Sequence, residues 1–149
     1  MKNILLIGGA GYVGSIITSH FLREGYKVTV LDNFIYENQS SIISFMGDPK
    51  YKFIKGDFTD KSNLELASQG ITDVVMLGGL VGDPITKTYP NESELINSIG
   101  VKNCIDFFDN IELDKFIFIS TCSNYGLIKE NELGRIKQSF CWLGHFKEH

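Results

Sequence analysis

The chain has 149 residues, of which 43% are hydrophobic and 21% charged, and its formal net charge is -4. This length suits one domain around one core, and the composition argues against disorder, collagen-like repeats and a disulfide scaffold. The mild acidic balance and the scattered lysines exclude the basic stripe that a nucleic-acid-binding protein needs for phosphates, so we expect no nucleic-acid partner.

The first part of the chain predicts a strand, a helix and a second strand. Residues 3–7 form a short apolar run closed by glycines, which is typical of a strand buried on both faces of a parallel sheet. Residues 27–31 repeat this pattern and end on the turn formers Asp32 and Asn33. Between the two strands, residues 12–24 predict a helix with Gly25 as its left-handed cap. Its apolar positions recur at helical spacing: Val13, Ile16, Ile17, Phe21 and Leu22.

The rest of the chain continues the alternation of strands and helices. Residues 51–55, 73–77 and 115–120 predict strands, and residues 61–67 and 92–109 predict helices. Residues 36–49 predict an irregular loop with a short helix at residues 40–45. Such an order requires right-handed crossovers. It predicts an α/β fold, a Rossmann-like doubly wound parallel sheet of about five strands with its ligand cleft at the carboxyl ends of the strands.

A glycine-rich loop joins the first predicted strand to the first helix. Gly8 allows the tight turn, Gly11 lets the backbone approach a pyrophosphate, and Gly14 lets the helix pack on the strand. The N–H groups at the start of that helix would face the anion. Glycines also occur in strand-to-helix turns for steric reasons alone, so the triplet by itself is a weak signal.

Asp32 strengthens the interpretation of the glycine loop as a dinucleotide site. It lies at the end of the second strand, 18 residues after Gly14, where a carboxylate can accept hydrogen bonds from both hydroxyls of an adenosine ribose. A carboxylate there would repel a 2'-phosphate, which favours NAD over NADP. The alternative is that Asp32 is a plain turn residue that ends the strand.

Four ordered motifs follow predicted strands: the glycine loop, the step from Leu31 to Asn33, residues 56–60 (Gly-Asp-Phe-Thr-Asp) and residues 120–126 (Ser-Thr-Cys-Ser-Asn-Tyr-Gly). With them the sequence resembles the NAD-dependent epimerase/dehydratase family, the extended short-chain dehydrogenase/reductase group that acts on nucleotide sugars. The resemblance covers about residues 1–128, which it implies are an NAD-binding Rossmann domain. Residues 129–149 are then an irregular tail, with the substrate domain absent and the fold truncated after the fifth strand.

The resemblance also implies roles for individual residues. Asp57 and Phe58 match residues that contact the adenine, and Asn97 falls where a cofactor-side asparagine is usual. Thr121 matches the catalytic Ser/Thr, whose hydroxyl hydrogen-bonds the sugar oxygen that is being oxidised. Without its flanking motif, Thr121 would be a strand-end hydroxyl that caps the next turn. The remaining residues expected to bind the cofactor are the loop residues Gly8, Gly11, Tyr12, Val13 and Gly14, the ribose-side Asp32 and Asn33, and the nicotinamide-side Leu77, Gly78 and Gly79.

The general base of this family, a tyrosine followed four residues later by a lysine on a helix, is missing from the sequence after Thr121. Tyr125 and Lys129 stand at that spacing, but Tyr125 belongs to the preceding motif and Gly126 makes a helix there doubtful. Residues 134–149 show no periodicity. One hypothesis is that this tail is out-of-frame translation of an interrupted gene.

Three functions remain open on the sequence alone. The first is the cofactor half of a nucleotide-sugar epimerase or dehydratase, inactive by itself, which would bind NAD without turnover. The second is a non-catalytic NAD-binding regulatory module that would capture a partner in an NAD-dependent way. The third is a decayed fragment that neither folds well nor binds, since a shortened sheet loses cover.

The remaining expectations concern metals, location and assembly. The three cysteines show no CxxC or Cys/His spacing, as expected of free thiols in a reducing compartment, and we expect no metal site. Residues 4–7 are too short an apolar run for a signal sequence or a membrane span, which favours the cytoplasm. The resemblance leaves a homodimer open, because the family pairs through helices of which only residues 92–109 are present.

Overall fold

The computed structural model describes residues 1–120, except for the side chains of residues 83 and 85. Within these residues the strands form one sheet, and every neighbouring pair of strands is parallel. The strands are β1 (Asn3–Ile7), β2 (Lys27–Asp32), β3 (Tyr51–Lys55), β4 (Asp73–Met76) and β5 (Lys115–Phe118).

The strands lie side by side in the order β3-β2-β1-β4-β5. The chain therefore starts in the middle of the sheet, builds outward through β2 and β3, and then crosses back to add β4 and β5. This order confirms the predicted Rossmann-like parallel sheet. It places a topological switch point between β1 and β4, and ligands of such sheets bind outside the carboxyl ends of the strands at that point.

Helices cover the two faces of the sheet. They are α1 (Tyr12–Arg23), a 3-10 helix (Gln39–Phe45), α2 (Lys61–Ala67), α3 (Asp83–Thr88), α4 (Pro90–Glu94), a π-helical segment (Leu95–Gly100) and α5 (Val101–Phe108). Successive side chains of a strand point to opposite faces. Leu5 and Ile7 of β1 accordingly pack in the core with residues of α2 and α5, whereas Ile4 and Leu6 pack toward α1 and the 3-10 helix.

Helix α1 packs differently from the pattern of its apolar residues. Of the five apolar residues at helical spacing, Val13 and Ile16 are 52% and 59% exposed, whereas Ile17, Phe21 and Leu22 pack against the core. The buried positions of α1 are instead Gly14 and Thr18. Small residues at these positions let the helix axis approach the sheet closely, which turns Val13 and Ile16 toward the surface. The predicted cap is confirmed, because Gly25 has a φ of +85°.

The other differences from the predicted elements lie between β4 and β5. The expected single helix at residues 92–109 begins at Pro90 and ends at Phe108, and its middle turn is π-helical. Helix α3 was not predicted, since six residues are too few to show a periodicity. Strands β4 and β5 end at Met76 and Phe118, earlier than expected. The short helix expected at residues 40–45 is present as the 3-10 helix.

The amino end of the sheet is closed by an ion pair. The Lys2 ammonium donates to both carboxylate oxygens of Asp73, at 2.7 and 2.8 Å, and Thr72 donates its hydroxyl to the same carboxylate at 2.7 Å. The hydrogen bond to Asp73 raises the pKa of Lys2.

No helix within the described part of the chain is long and apolar enough to cross a membrane.

Candidate functional site

The glycine loop follows β1 at the carboxyl edge of the sheet. Gly8 has a φ of +79°, in the left-handed region, and its N–H donates to the Leu31 carbonyl at 2.8 Å. A side chain at Gly8 would place its Cβ 2.7 Å from both Cα and N of Gly78, which belongs to the loop after β4. The loops after β1 and β4 can therefore approach this closely only because Gly8 has no side chain.

The start of α1 is built from the same loop. A Cβ on Gly14 would lie 2.6 Å from the Gly9 carbonyl oxygen, and one on Gly11 would lie 3.3 Å from that of Gly8. Gly11 is the N-cap of α1, so no side chain caps the helix, and its first turn carries no acidic residue. The first N–H groups of a helix lack partners within the helix and carry partial positive charge. This arrangement suits an anion such as a pyrophosphate.

Asp32 lies directly beside the glycine loop. Its Oδ2 accepts from the backbone N–H of Ala10 at 3.0 Å, and its Oδ1 accepts from that of Phe34 at 2.8 Å. An ionised carboxylate has about four acceptor positions. Each oxygen of Asp32 therefore keeps a lone pair that can accept from a ligand hydroxyl while the two backbone bonds hold the side chain in place.

Asp57 forms a second polar cluster at the end of β3. Its Oδ2 accepts from the Asn33 amide at 2.9 Å, which links the ends of β2 and β3. Its Oδ1 accepts from the backbone N–H and the hydroxyl of Thr59, both at 2.8 Å. The neighbouring Phe58 is half-buried and packs against the core, with its ring beside Gly78, where a Cβ would lie 3.1 Å from Cε1. Asp57 and Phe58 are thus both half-buried just after β3, the first in a polar cluster and the second against the core.

The loop after β4 forms the opposite wall of the cleft. Leu77 extends the pairing with β1, since its N–H donates to the Ile7 carbonyl at 2.8 Å. Asn97, on the π-helical segment, accepts from the N–H of Leu80 and donates to its carbonyl, both at 2.8 Å. Gly79 faces this amide, because a Cβ there would lie 3.0 Å from Oδ1 of Asn97. The two hydrogen bonds of Asn97 to Leu80 therefore fix the loop after β4 to the π-helical segment.

Several residues of this region carried no sequence signal. The Ala10 carbonyl accepts from the amide of Asn38 and, at 2.7 Å, from the hydroxyl of Ser41. The Tyr36 hydroxyl accepts from the backbone N–H of Val81 at 3.0 Å. These bonds join the loop after β2 to the loops after β1 and β4.

The phenol oxygen of Tyr51 and the thiol of Cys104 are both buried. Burial, together with the negative charge of Asp32, raises the pKa of the Tyr51 phenol above its ordinary value. Burial raises the pKa of the Cys104 thiol to about 12. Both groups stay protonated near neutral pH, so neither supplies a base or a thiolate nucleophile.

The structure brings together all the predicted cofactor residues at one edge of the sheet, on the loops after β1 to β4 and on the helix behind them. Tyr12 and Val13 form the exposed start of α1. The predicted catalytic Thr121 lies outside the described residues. Among residues 1–120, no group of three or more His, Cys, Asp or Glu side chains is placed to hold a metal ion.

Comparison with known proteins gives a family match over most of the chain. The model of the NAD dependent epimerase/dehydratase family matches residues 4–140. The UDP-glucose 4-epimerase of Yersinia enterocolitica is 35% identical over 130 residues, which are 83% of this chain and 38% of that protein. The UDP-glucose 4-epimerase of Corynebacterium glutamicum is 31% identical over 125 residues, or 83% of this chain and 36% of that protein.

A solved structure supports the same relationship. The UDP-glucuronic acid 4-epimerase from Bacillus cereus, in complex with UDP-glucuronic acid and NAD, is 27% identical and superposes with a TM-score of 0.76. The match covers 87% of this chain and 45% of that chain. The present chain therefore spans less than half the length of each of these relatives.

Proposed function

Because this chain belongs to the NAD-dependent epimerase/dehydratase family, we propose that it binds NAD and is the cofactor-binding portion of a nucleotide-sugar epimerase or dehydratase. The observation that carries the proposal is that the glycine loop, which begins a helix without a side-chain cap, lies beside the Asp32 carboxylate, which two backbone N–H groups hold in place. Asp32 holds the N–H of Ala10 at 3.0 Å, so the ribose-binding and phosphate-binding groups form one unit.

The glycine loop fits a pyrophosphate because no side chain caps the helix that it begins. Side chains at Gly11 or Gly14 would crowd the loop itself, and the uncapped start of α1, at Tyr12 and Val13, offers N–H groups to the phosphates. Asp32 accepts from the two hydroxyls of the adenosine ribose.

The two walls of the cleft hold the ends of the dinucleotide. On the adenine side, Asp57 presents its carboxylate, braced by Asn33, while Phe58 supports it from the core. On the nicotinamide side, the residues that line the path to the nicotinamide ribose are Leu77, Gly78 and Gly79. The amide of Asn97 keeps that path in place through its two bonds to Leu80.

The chemistry that NAD supplies when bound is the acceptance of a hydride from a sugar carbon and its return. Thr121 contributes the hydroxyl that hydrogen-bonds the sugar oxygen. The sequence has no tyrosine after Tyr125, and Gly126 disfavours a helical Tyr-x-x-x-Lys base formed by Tyr125 and Lys129, so we propose that residues 1–149 bind NAD without turnover. A nucleotide sugar is the proposed substrate class, supported by the UDP-sugars named for the relatives.

Cofactor selectivity tests this proposal. NADH bound to the chain should be displaced by NAD at least 10-fold more effectively than by NADP, because a 2'-phosphate meets the Asp32 carboxylate and loses charge-assisted hydrogen bonds of roughly 1.5–3 kcal/mol each. The measurement is a fluorescence displacement titration at fixed ionic strength. Adenosine monophosphate serves as a control for binding that depends on the adenosine alone. Equal displacement by NAD and NADP would contradict the proposed role of Asp32.

A further inference from the structure

The loops after β2 and β4 are joined by a hydrogen bond that passes across the end of β1. Tyr36 follows β2, and its hydroxyl accepts from the N–H of Val81, which follows β4, at 3.0 Å. Strand β1 lies between β2 and β4 in the sheet, and the glycine loop begins at its end. Tyr36 and Val81 thus connect the loops on either side of β1, at the edge of the sheet where the loop that the proposed function assigns to the pyrophosphate begins.

Both ends of this connection are anchored. On one side, Asn38 and Ser41 bind the carbonyl of Ala10, which ties the loop after β2 to the glycine loop. On the other side, Asn97 holds both backbone groups of Leu80, the residue next to Val81. The Tyr36–Val81 bond therefore joins two loops that other hydrogen bonds already fix, so its formation costs little conformational entropy.

The loop that carries Tyr36 adopts a costly backbone conformation. Phe34 and Glu37 both have positive φ values, 60° and 53°, which non-glycine residues rarely adopt. The turn is closed by the Glu37 N–H, which donates to the Phe34 carbonyl at 2.8 Å, and the Phe34 ring stacks on Phe53 with centroids 4.8 Å apart. Such conformations persist where the surroundings impose them, often at ligand clamps. Here they bring Tyr36 to Val81.

We propose that the Tyr36 hydroxyl and the Val81 N–H form a strap over the cofactor cleft, which must open each time the dinucleotide enters or leaves. The inference rests on the proposed function, because the ligand it gates is NAD. The strap joins two groups of the protein and uses no ligand atom, so it can close over an empty or a filled cleft. It therefore slows association and dissociation alike and leaves the affinity nearly unchanged.

The test is the kinetics of NADH binding to the full chain by stopped-flow fluorescence, with Tyr36→Phe, which removes only the hydroxyl oxygen. We expect the association and dissociation rate constants both to rise about 2- to 10-fold, as the loss of one hydrogen bond allows. Their ratio should stay within about twofold of the unaltered chain. Tyr26→Phe is the matched control, since Tyr26 immediately precedes the amino end of β2, and its rates should equal those of the unaltered chain.

Each other outcome overturns the strap. Unchanged rates would mean that the bond does not gate the cleft. A faster dissociation with an unchanged association would mean that the hydroxyl contacts the cofactor directly. A chain that takes up no NADH before any substitution would overturn the proposed function itself, and the strap with it. Thermal unfolding of both variants verifies that the fold is intact.

Discussion

Alanine at Gly8 is expected to lower the free energy of unfolding by about 2–5 kcal/mol and to abolish measurable NAD binding. A residue with a side chain costs roughly 1–2 kcal/mol in the left-handed region, where Gly8 has a φ of +79°. The new Cβ would also lie 2.7 Å from backbone atoms of Gly78, and relieving such overpacking typically costs about 1–3 kcal/mol. Any shift that relieves the contact separates the glycine loop from the loop after β4. Urea unfolding and NADH titration measure the two effects.

Gly70 provides the matched control for this substitution. It has a φ of +69°, but a Cβ there meets no atom within 4 Å. Gly70→Ala should therefore lose only the backbone contribution, about 1–2 kcal/mol, and should keep NAD binding. Equal losses of stability for Gly8→Ala and Gly70→Ala would show that the close approach of Gly8 to Gly78 does not exist in solution.

Replacement of Asp32 by alanine is expected to raise the NAD dissociation constant by roughly 10- to 150-fold for each ribose hydrogen bond lost, since a bond to a charged group contributes about 1.5–3 kcal/mol. The variant also loses the anchors to the N–H groups of Ala10 and Phe34. A smaller loss of folding stability, about 1–3 kcal/mol, should accompany the weaker binding. The measurements are calorimetric titration with NAD and urea unfolding of the free chain.

Asp106→Ala is the control for the loss of a carboxylate. Asp106 lies on α5, where it pairs with Lys102 at 2.8 Å and is 61% exposed. Exposed pairs of this kind contribute little to stability. Its removal should leave NAD affinity unchanged. An unchanged affinity in Asp32→Ala as well would end the assignment of Asp32 to the ribose.

The parts of the fold that could be predicted are those governed by local rules. Continuous apolar runs such as residues 3–7 identify parallel strands buried on both faces. Gly8 and Gly25 stand where the backbone needs a positive φ, which few other residues tolerate. Asp32 ends β2 at the distance from the glycine loop that is expected of a ribose-binding carboxylate. Each of these signals lies within one element or at its end.

The parts that escaped prediction depend on contacts between distant residues. No periodicity connects Tyr36 with Val81, or Asn97 with Leu80, because loop conformation decides which backbone groups these side chains reach. Hydrophobic spacing also gave no sign that Gly14 and Thr18 are the fully buried residues of α1, beside Ile17, Phe21 and Leu22, while Val13 is exposed. The loop contacts and the packing of α1 escaped prediction for the same reason. Small and polar residues determine how closely these segments approach each other, and a hydrophobicity pattern contains no information about them.

The central claim is that the edge of the sheet formed by the glycine loop and Asp32 binds NAD. Isothermal titration of NAD into the full chain, with circular dichroism of the same sample to establish that it is folded, tests this claim most directly. The claim predicts saturable binding of one NAD per chain. A folded chain that releases no heat of binding with NAD at millimolar concentration would contradict it.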